Sequence, residues 1–252
     1  MDSLGVRDTR ASAAEIKFVI PRSTGLAIRD WARRHLDRDP HGTGPHGDEY
    51  ETSTIYFETA AYDVFNRRRS FGRSKYRIRR YDGADAVFLE RKLRRPGMLT
   101  KRRTLVPVSL LPQIEQPERA AWAGDWFHRR LLLRGLRPVC ELTYARMARA
   151  GGNGSQPLRL TLDDRLSVGR TNRPLFDVAG ETTGIVEGSM ILELKFRGEI
   201  PALFKQLVDE FRLEPRPTSK YRFGIAALLP ENVRSPMAGV AAGAPAAASG
   251  SL

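Results

Sequence analysis

Cysteine is almost absent: Cys140 is the only one in 252 residues, which excludes an internal disulfide and any Cys-rich metal centre. It lies in Pro138-Val139-Cys140-Glu141-Leu142 and reads as a small core residue rather than a nucleophile. The four histidines, His35, His41, His46 and His128, fall on predicted helices and loops, with no spacing for a metal cluster or a Ser-His-Asp arrangement. Neither a P-loop nor a GxGxxG turn is present. The longest apolar run, Ile225 to Leu229, is far too short to span a bilayer. Asp2, Arg7, Asp8 and Arg10 break up the first residues, so no secretory signal is visible. A soluble, cytoplasmic protein is the expectation.

Positive charge is plentiful. Forty-two Lys and Arg against 29 Asp and Glu leave a formal charge of +13, which favours polyanionic partners such as nucleic acid, acidic lipid or phosphate-rich molecules. Genome bias toward Arg would explain the bulk excess, but not its arrangement.

The chain reads as a single domain over about 14–234, with a disordered leader at 1–13 and a disordered Ala/Gly/Pro-rich tail at 235–252. Four helices are predicted: from a Ser23 or Thr24 cap to Leu36, from Pro117 to Gly135, from Pro201 to Phe211, and a short one near Tyr221–Leu229. Strands are predicted at 15–20, 50–58, 73–81, 86–92, 100–106, 139–148, 157–163 and 185–196, with Asp82-Gly83 marking a hairpin.

Those strands alternate charge with apolar residues, and successive strand side chains point to opposite faces. Glu15 and Lys17 oppose Ile16 and Phe18; Lys75, Arg77 and Arg79 oppose Tyr76 and Ile78; Phe88, Glu90 and Lys92 oppose Val87 and Leu89. Lys101 goes with Arg103, and Tyr144 with Arg146. Arg159, Thr161 and Asp163 oppose three leucines, and Glu193 and Lys195 oppose Leu192, Leu194 and Phe196. Amphipathic helices would cover the apolar faces. The expected fold class is α+β; if the sheet closes as an antiparallel β-barrel, helices packed outside force the ionic face into the lumen and make a charged tunnel.

Buried cations cannot remain unpaired, because each lost hydration shell costs several kcal/mol. Glu15, Glu90, Asp163 and Glu193 neutralise only part of the face, so the remainder implies a bound anion the size of a tri- or polyphosphate. With such a ligand, Mg²⁺ or Mn²⁺ takes one or two protein carboxylates plus phosphate oxygens. Glu193 is the first candidate ligand, with Glu15 and Glu90 behind it.

The ordered set Tyr50-Glu-Thr-Ser-Thr-Ile-Tyr-Phe-Glu-Thr59, Lys75-Tyr-Arg-Ile-Arg-Arg-Tyr81, Phe88-Leu-Glu-Arg-Lys92, Lys101, Glu141-Leu-Thr-Tyr-Ala-Arg146, Arg159-Leu-Thr-Leu-Asp163, Leu192-Glu-Leu-Lys195 and Ser219-Lys-Tyr221 resembles the VTC domain. That is the polyphosphate polymerase branch of the triphosphate tunnel metalloenzymes. The resemblance implies a tunnel in which the γ-phosphate of ATP is appended to polyphosphate, with Mn²⁺ or Mg²⁺. It assigns phosphate binding to Lys17, Arg77, Arg79, Lys92, Lys101, Arg146, Arg159 and Lys220, hydroxyl contacts to Tyr144 and Ser219, and the metal to Glu193. Arg77, Arg79, Lys92, Arg146 and Lys220 are the expected catalytic set. Lys75, Arg103 and Lys195 join the phosphate-binding set through their strand faces. Ala13 stands where the wider superfamily often has the first Glu of an E-x-E-x-K signature, which weakens a thiamine triphosphatase or adenylate cyclase assignment.

Expected partners are ATP, polyphosphate, and pyrophosphate or orthophosphate as acceptor, with a membrane protein as a further partner that would tether the chain. Competing functions are a tripolyphosphatase or nucleoside triphosphatase on the same scaffold, and a non-catalytic module binding polyphosphate or inositol polyphosphates. Nucleic acid ranks last, because aromatic residues are not interleaved with the basic face.

Overall fold

The computed structural model describes residues 7–8, 14–95, 98–116, 122–152, 157–176 and 180–230. The tail from 235 and most of the 1–13 leader lie outside the described residues. In chain order the elements are β1 (Arg7–Asp8), β2 (Ala14–Pro21), α1 (Arg22–His35), β3 (Asp37–Arg38), β4 (Glu49–Glu58), β5 (Ser74–Tyr81), β6 (Ala86–Arg95), β7 (Met98–Pro107), α2 (Asp125–Leu133), β8 (Arg137–Gly151), β9 (Leu158–Arg170), β10 (Thr182–Gly184), β11 (Ser189–Phe196), α3 (Ala202–Glu210) and α4 (Lys220–Leu228).

All the long strands predicted from alternation are present, and every pairing is antiparallel. One sheet runs β1-β7-β6-β5-β4-β8-β9-β11-β2, with β10 beside β9 and β3 beside β8. Asp82 and Gly83 both take positive φ, 45° and 64°, which is what the turn joining β5 to β6 needs to match strand twist. Several boundaries differ from expectation. The strand predicted at 185–196 begins only at Ser189 as β11, the short β10 precedes the predicted range, and β9 continues to Arg170. The helix predicted from Pro117 begins only at Asp125, and 117–121 lie outside the described residues. Two 3-10 segments, Arg69–Arg73 and Val108–Glu115, carry no strong sequence signal.

The expected closed barrel is corrected: among the described residues no hydrogen-bonded ladder joins the β1–β7 edge to β2, so the sheet stays open along that seam. It is nevertheless strongly curled. Lys92 on β6 and Glu15 on β2 stand six strands apart in sheet order, yet their side chains approach to 3.9 Å. Only a sheet wrapped nearly onto itself allows that contact, and the ionic face lines its inside.

Two apolar layers coat the outside. Phe18, Leu160, Leu162, Leu192 and Leu194 are buried against Trp31 of α1 and Phe204 and Leu207 of α3. Ile55, Phe57, Tyr76, Ile78 and Leu89 are buried with Phe127 of α2, whose ring meets Phe57 edge-on at 5.5 Å. Each such side chain contributes about 1.5–3 kcal/mol when fully buried, enough to fix which face turns inward.

The expectation that all helices pack outside is corrected by α4, which lies on the inner face. Tyr221 meets Tyr56 at 5.0 Å between ring centroids, and its hydroxyl donates to Glu58. Tyr56 and Glu58 share a strand face with Thr54, which bonds the ionic-face residue Arg79. Gly224 permits the close approach, since a Cβ there would sit 3.2 Å from both Leu142 and Val168. Among the described residues, no helix is long and apolar enough to cross a membrane.

Candidate anion-binding and metal site

Register builds the first wall. On β5, β6 and β7, Arg77 lies opposite Glu90, and Glu90 opposite Arg103. Arg77 Nε donates to Glu90 Oε2 at 2.6 Å; Lys101 Nζ and Arg103 Nε lie 2.7 and 3.3 Å from Oε1. Burial opposes the charge of Glu90, but Arg77, Arg79 and Lys101 outweigh it and hold the carboxyl far below its ordinary range. Arg79 is buried, its Nε bonded to Thr54 at 3.2 Å.

This wall has more cations than it can balance. Lys75 donates to Ser219 Oγ at 3.0 Å, and no carboxylate among the described residues pairs with it. Burial, together with Lys92, Lys17 and Arg77, pushes its amine down to about 7. Lys101 is pushed down to about 8 by burial and Arg77 despite its bond to Glu90. Burial lowers Lys92 as well, partly opposed by Glu15.

The second wall, on β8, β9, β11 and β2, holds the carboxylates. Arg146 forks onto Asp163 through bonds of 2.6 and 2.8 Å. Lys220, in the first turn of α4, bridges Asp163 at 2.5 Å and Glu193 at 2.7 Å. Lys17 lies 3.2 Å from Glu193 and 2.7 Å from Glu15, and Lys195 lies 3.5 Å from Glu193. Burial works against Glu193, yet Lys220, Lys17 and Lys195 keep it well below its usual value. Glu15 falls to about 2, because Lys195 and Lys17 overcome its burial. Burial alone would lower Lys220, but Asp163 and Glu193 raise it.

Arg159 departs from this group. It bonds Tyr50 Oη at 3.1 Å and Asp39 at 2.9 Å, toward the end of the curl remote from α4. The buried hydroxyls of Thr52, Tyr144 and Thr161 have no hydrogen-bond partner among the described protein atoms. Thr161 pairs in register with Glu193, and Tyr144 with Thr52, so these unfilled valences border the carboxylates.

Glu15 and Glu193 stand on adjacent strands, offset by one inward position, Glu193 facing Lys17 and Lys195 facing Glu15. Both are ionised hard-oxygen donors, the type that Mg²⁺ and Mn²⁺ take up when phosphate oxygens complete the shell. The donor set fits such an ion only alongside an anion, since four lysines also crowd these oxygens. Glu90, enclosed by three cations on the other wall, does not share that arrangement. Cys140 is buried and its thiol is pushed up to about 12, chiefly by burial, as suits a core residue.

Sequence reasoning brought most of these residues to one face. It missed Asp163 as the clamp of Arg146, and it missed Glu58, which accepts from the backbone of Thr59, Val64 and Phe65 as well as from Tyr221. Asp163 was open to discovery through its place on the Arg159–Thr161 face. Glu58 ends an otherwise apolar run and gave no signal.

Comparison with known proteins supports the architecture. A family model described as the VTC domain matches residues 12–229. A candidate adenylate cyclase from Bacillus halodurans is similar in structure at 15% identity and a TM-score of 0.51, over 82% of this chain and 93% of that one. A candidate adenylyl cyclase from Hippeastrum, described as having a dominant triphosphatase activity, shares 17% identity at a TM-score of 0.46, over 87% of this chain and 98% of that one. Among curated proteins, none matches the chain.

Proposed function

The chain belongs to the VTC-domain family, and on that premise we propose that it is an ATP-dependent polyphosphate polymerase working inside the curled sheet. Its family is one of enzymes that act on triphosphates with a divalent metal. The observation that carries the reading is the unbalanced inner face. Lys75 has no acid partner and an amine pushed down to about 7, in a layer shared with Lys92, Arg77 and Lys17. A protein that kept this surface empty would hold several cations against their solvation for no return; a polyphosphate ligand removes the penalty.

Phosphoryl transfer asks for positioning and positive charge more than for proton transfer. The terminal oxygen of an acceptor phosphate attacks the γ-phosphorus, the bond from the γ-phosphorus to the β–γ bridging oxygen breaks, and ADP leaves. Arg77, Arg79, Lys92, Arg146 and Lys220 stabilise the charge spread over the transferring group. Lys17, Lys75, Lys101, Arg103, Arg159 and Lys195 hold the flanking phosphates, with hydroxyl contacts from Tyr144 and Ser219. Arg146 uses two of its five N–H donors on Asp163 and keeps the rest for ligand. Glu193, with Glu15 beside it, would hold Mn²⁺ or Mg²⁺, which supplies neutralisation of phosphate oxygens when bound.

Transfer to phosphate asks less of the acids than hydrolysis does. Glu15 at about 2, and Glu193 and Asp163 below their usual values, are poor bases for activating water. A phosphate acceptor is already anionic and needs none. Incubation with ATP and Mn²⁺, followed by a polyphosphate gel, tests this: a ladder is expected. Free phosphate without a ladder would instead make the protein a triphosphatase, and no turnover with retained polyphosphate binding would make it a binding module.

A further inference from the structure

At the end remote from α4 the inner face changes character. β4 carries Tyr50 two positions before Thr52, β5 ends its basic row at Tyr81, β6 carries Phe88 near its start, and β7 passes from Lys101 and Arg103 to Leu105. Register makes these neighbours: Thr52 lies opposite Tyr81, Arg79 opposite Phe88, and Phe88 opposite Leu105. The rings touch, with Tyr50 edge-on to Tyr81 at 5.6 Å and Tyr81 to Phe88 at 6.0 Å. The Arg103 guanidinium lies over the face of the Phe88 ring, 3.5 Å from its centre, and presents its own flat outer face in the ring's place. Leu105 is 56% exposed. A single exposed leucine carries no message; this one continues an aromatic strip beside an ionic floor.

We propose that the strip formed by Tyr81, Phe88, Arg103 and Leu105 seats the nucleobase of the triphosphate substrate. The inference rests on the triphosphate-binding reading above. Three features point to a base rather than to another apolar group. The strip abuts the phosphate-binding row directly, since Tyr81 follows Arg79 by two residues, about 7 Å along the strand. A planar guanidinium–ring stack suits a π-face better than an aliphatic chain. The opposite end is covered by α4, whose Lys220 reaches Glu193 at 2.7 Å. A nucleoside triphosphate with its terminal phosphate at the carboxylates therefore places its base at the strip. Inorganic tripolyphosphate would occupy only the ionic floor.

The two ligands separate the hypotheses. Binding of ATP and of inorganic tripolyphosphate should be measured by calorimetry on wild type, Leu105→Ser and Phe88→Leu. Both variants should bind ATP roughly 10-fold more weakly, the size expected for a lost stacking surface. Their tripolyphosphate affinity should stay within about 2-fold of wild type, which also shows that they fold. Equal weakening toward both ligands, or unchanged ATP affinity, would overturn the base platform while leaving the phosphate site standing. Failure of wild type to bind either ligand would overturn the underlying reading and the platform with it.

Discussion

The two walls of the curled sheet carry the same kinds of side chain in opposite balance. On β8, β9, β11 and β2, Arg146, Arg159, Lys17 and Lys195 each have a carboxylate within reach, and Lys220 is held charged between Asp163 and Glu193. On β5, β6 and β7 one acid, Glu90, serves Arg77, Lys101 and Arg103 together, and Lys75 has none. The carboxylate wall is therefore close to charge balance, and the cationic wall is left in excess of positive charge. That asymmetry suggests a difference of emphasis: both walls offer cations to phosphate, but the candidate metal donors sit on one wall and the cations left without an acid on the other.

The largest expected effect tests the difference directly. Glu193→Ala should lower turnover about 100-fold or more, while tripolyphosphate affinity measured by calorimetry holds or rises, because a negative neighbour has been removed. Unchanged turnover would remove Glu193 from any metal role, and a parallel loss of binding would show that the walls do not act separately.

A second prediction uses proton balance. Lys75 and Lys101 titrate near about 7 and about 8, and a bound anion raises both values. Below pH 7 both are already charged, so affinity is level; above it, binding must take up protons and weakens by up to about 10-fold per pH unit for each proton. Lys220, raised instead, contributes no such dependence in this range. Calorimetry in two buffers of different ionisation enthalpy would report the uptake; none at pH 8 would contradict the assigned imbalance.

The smallest effect is on stability. The folded value of Lys75 lies below its usual 10.5, so its charge costs stability in full below pH 7, and the cost fades between 7 and 10.5. Lys75→Met keeps the length without the charge. The ligand-free protein should gain about 1 kcal/mol, or about 2–4 °C in Tm, and bind tripolyphosphate more weakly. A lower Tm would mean that the bond to Ser219 outweighs the unbalanced charge.

Much of this was legible in the sequence, because period-2 alternation states which residues share a face wherever one face is buried. Arg77, Glu90 and Arg103 were sorted to the inside before any register was known, and the structure sets them in one row. Closure was not legible. Whether β7 meets β2 depends on hydrogen bonds between strands far apart in the chain, about which neither strand's pattern says anything. The side taken by α4 was equally hidden: Ile225 fits an outer or an inner apolar surface alike. Lys220 and Tyr221, buried at its start, decide the matter through Glu193 and Glu58. The aromatic strip escaped notice because its members are scattered over three strands and become neighbours only in register.

The position of Lys220 also bears on how the molecule is made. Its two anchors come from β9 and β11, and β11 in turn needs β2, the first long strand, to pair with. Among the described helices, the one that delivers Lys220 comes last in chain order. No partial chain lacking α4 can assemble the bridged carboxylates, so that arrangement forms only once both distant segments have docked.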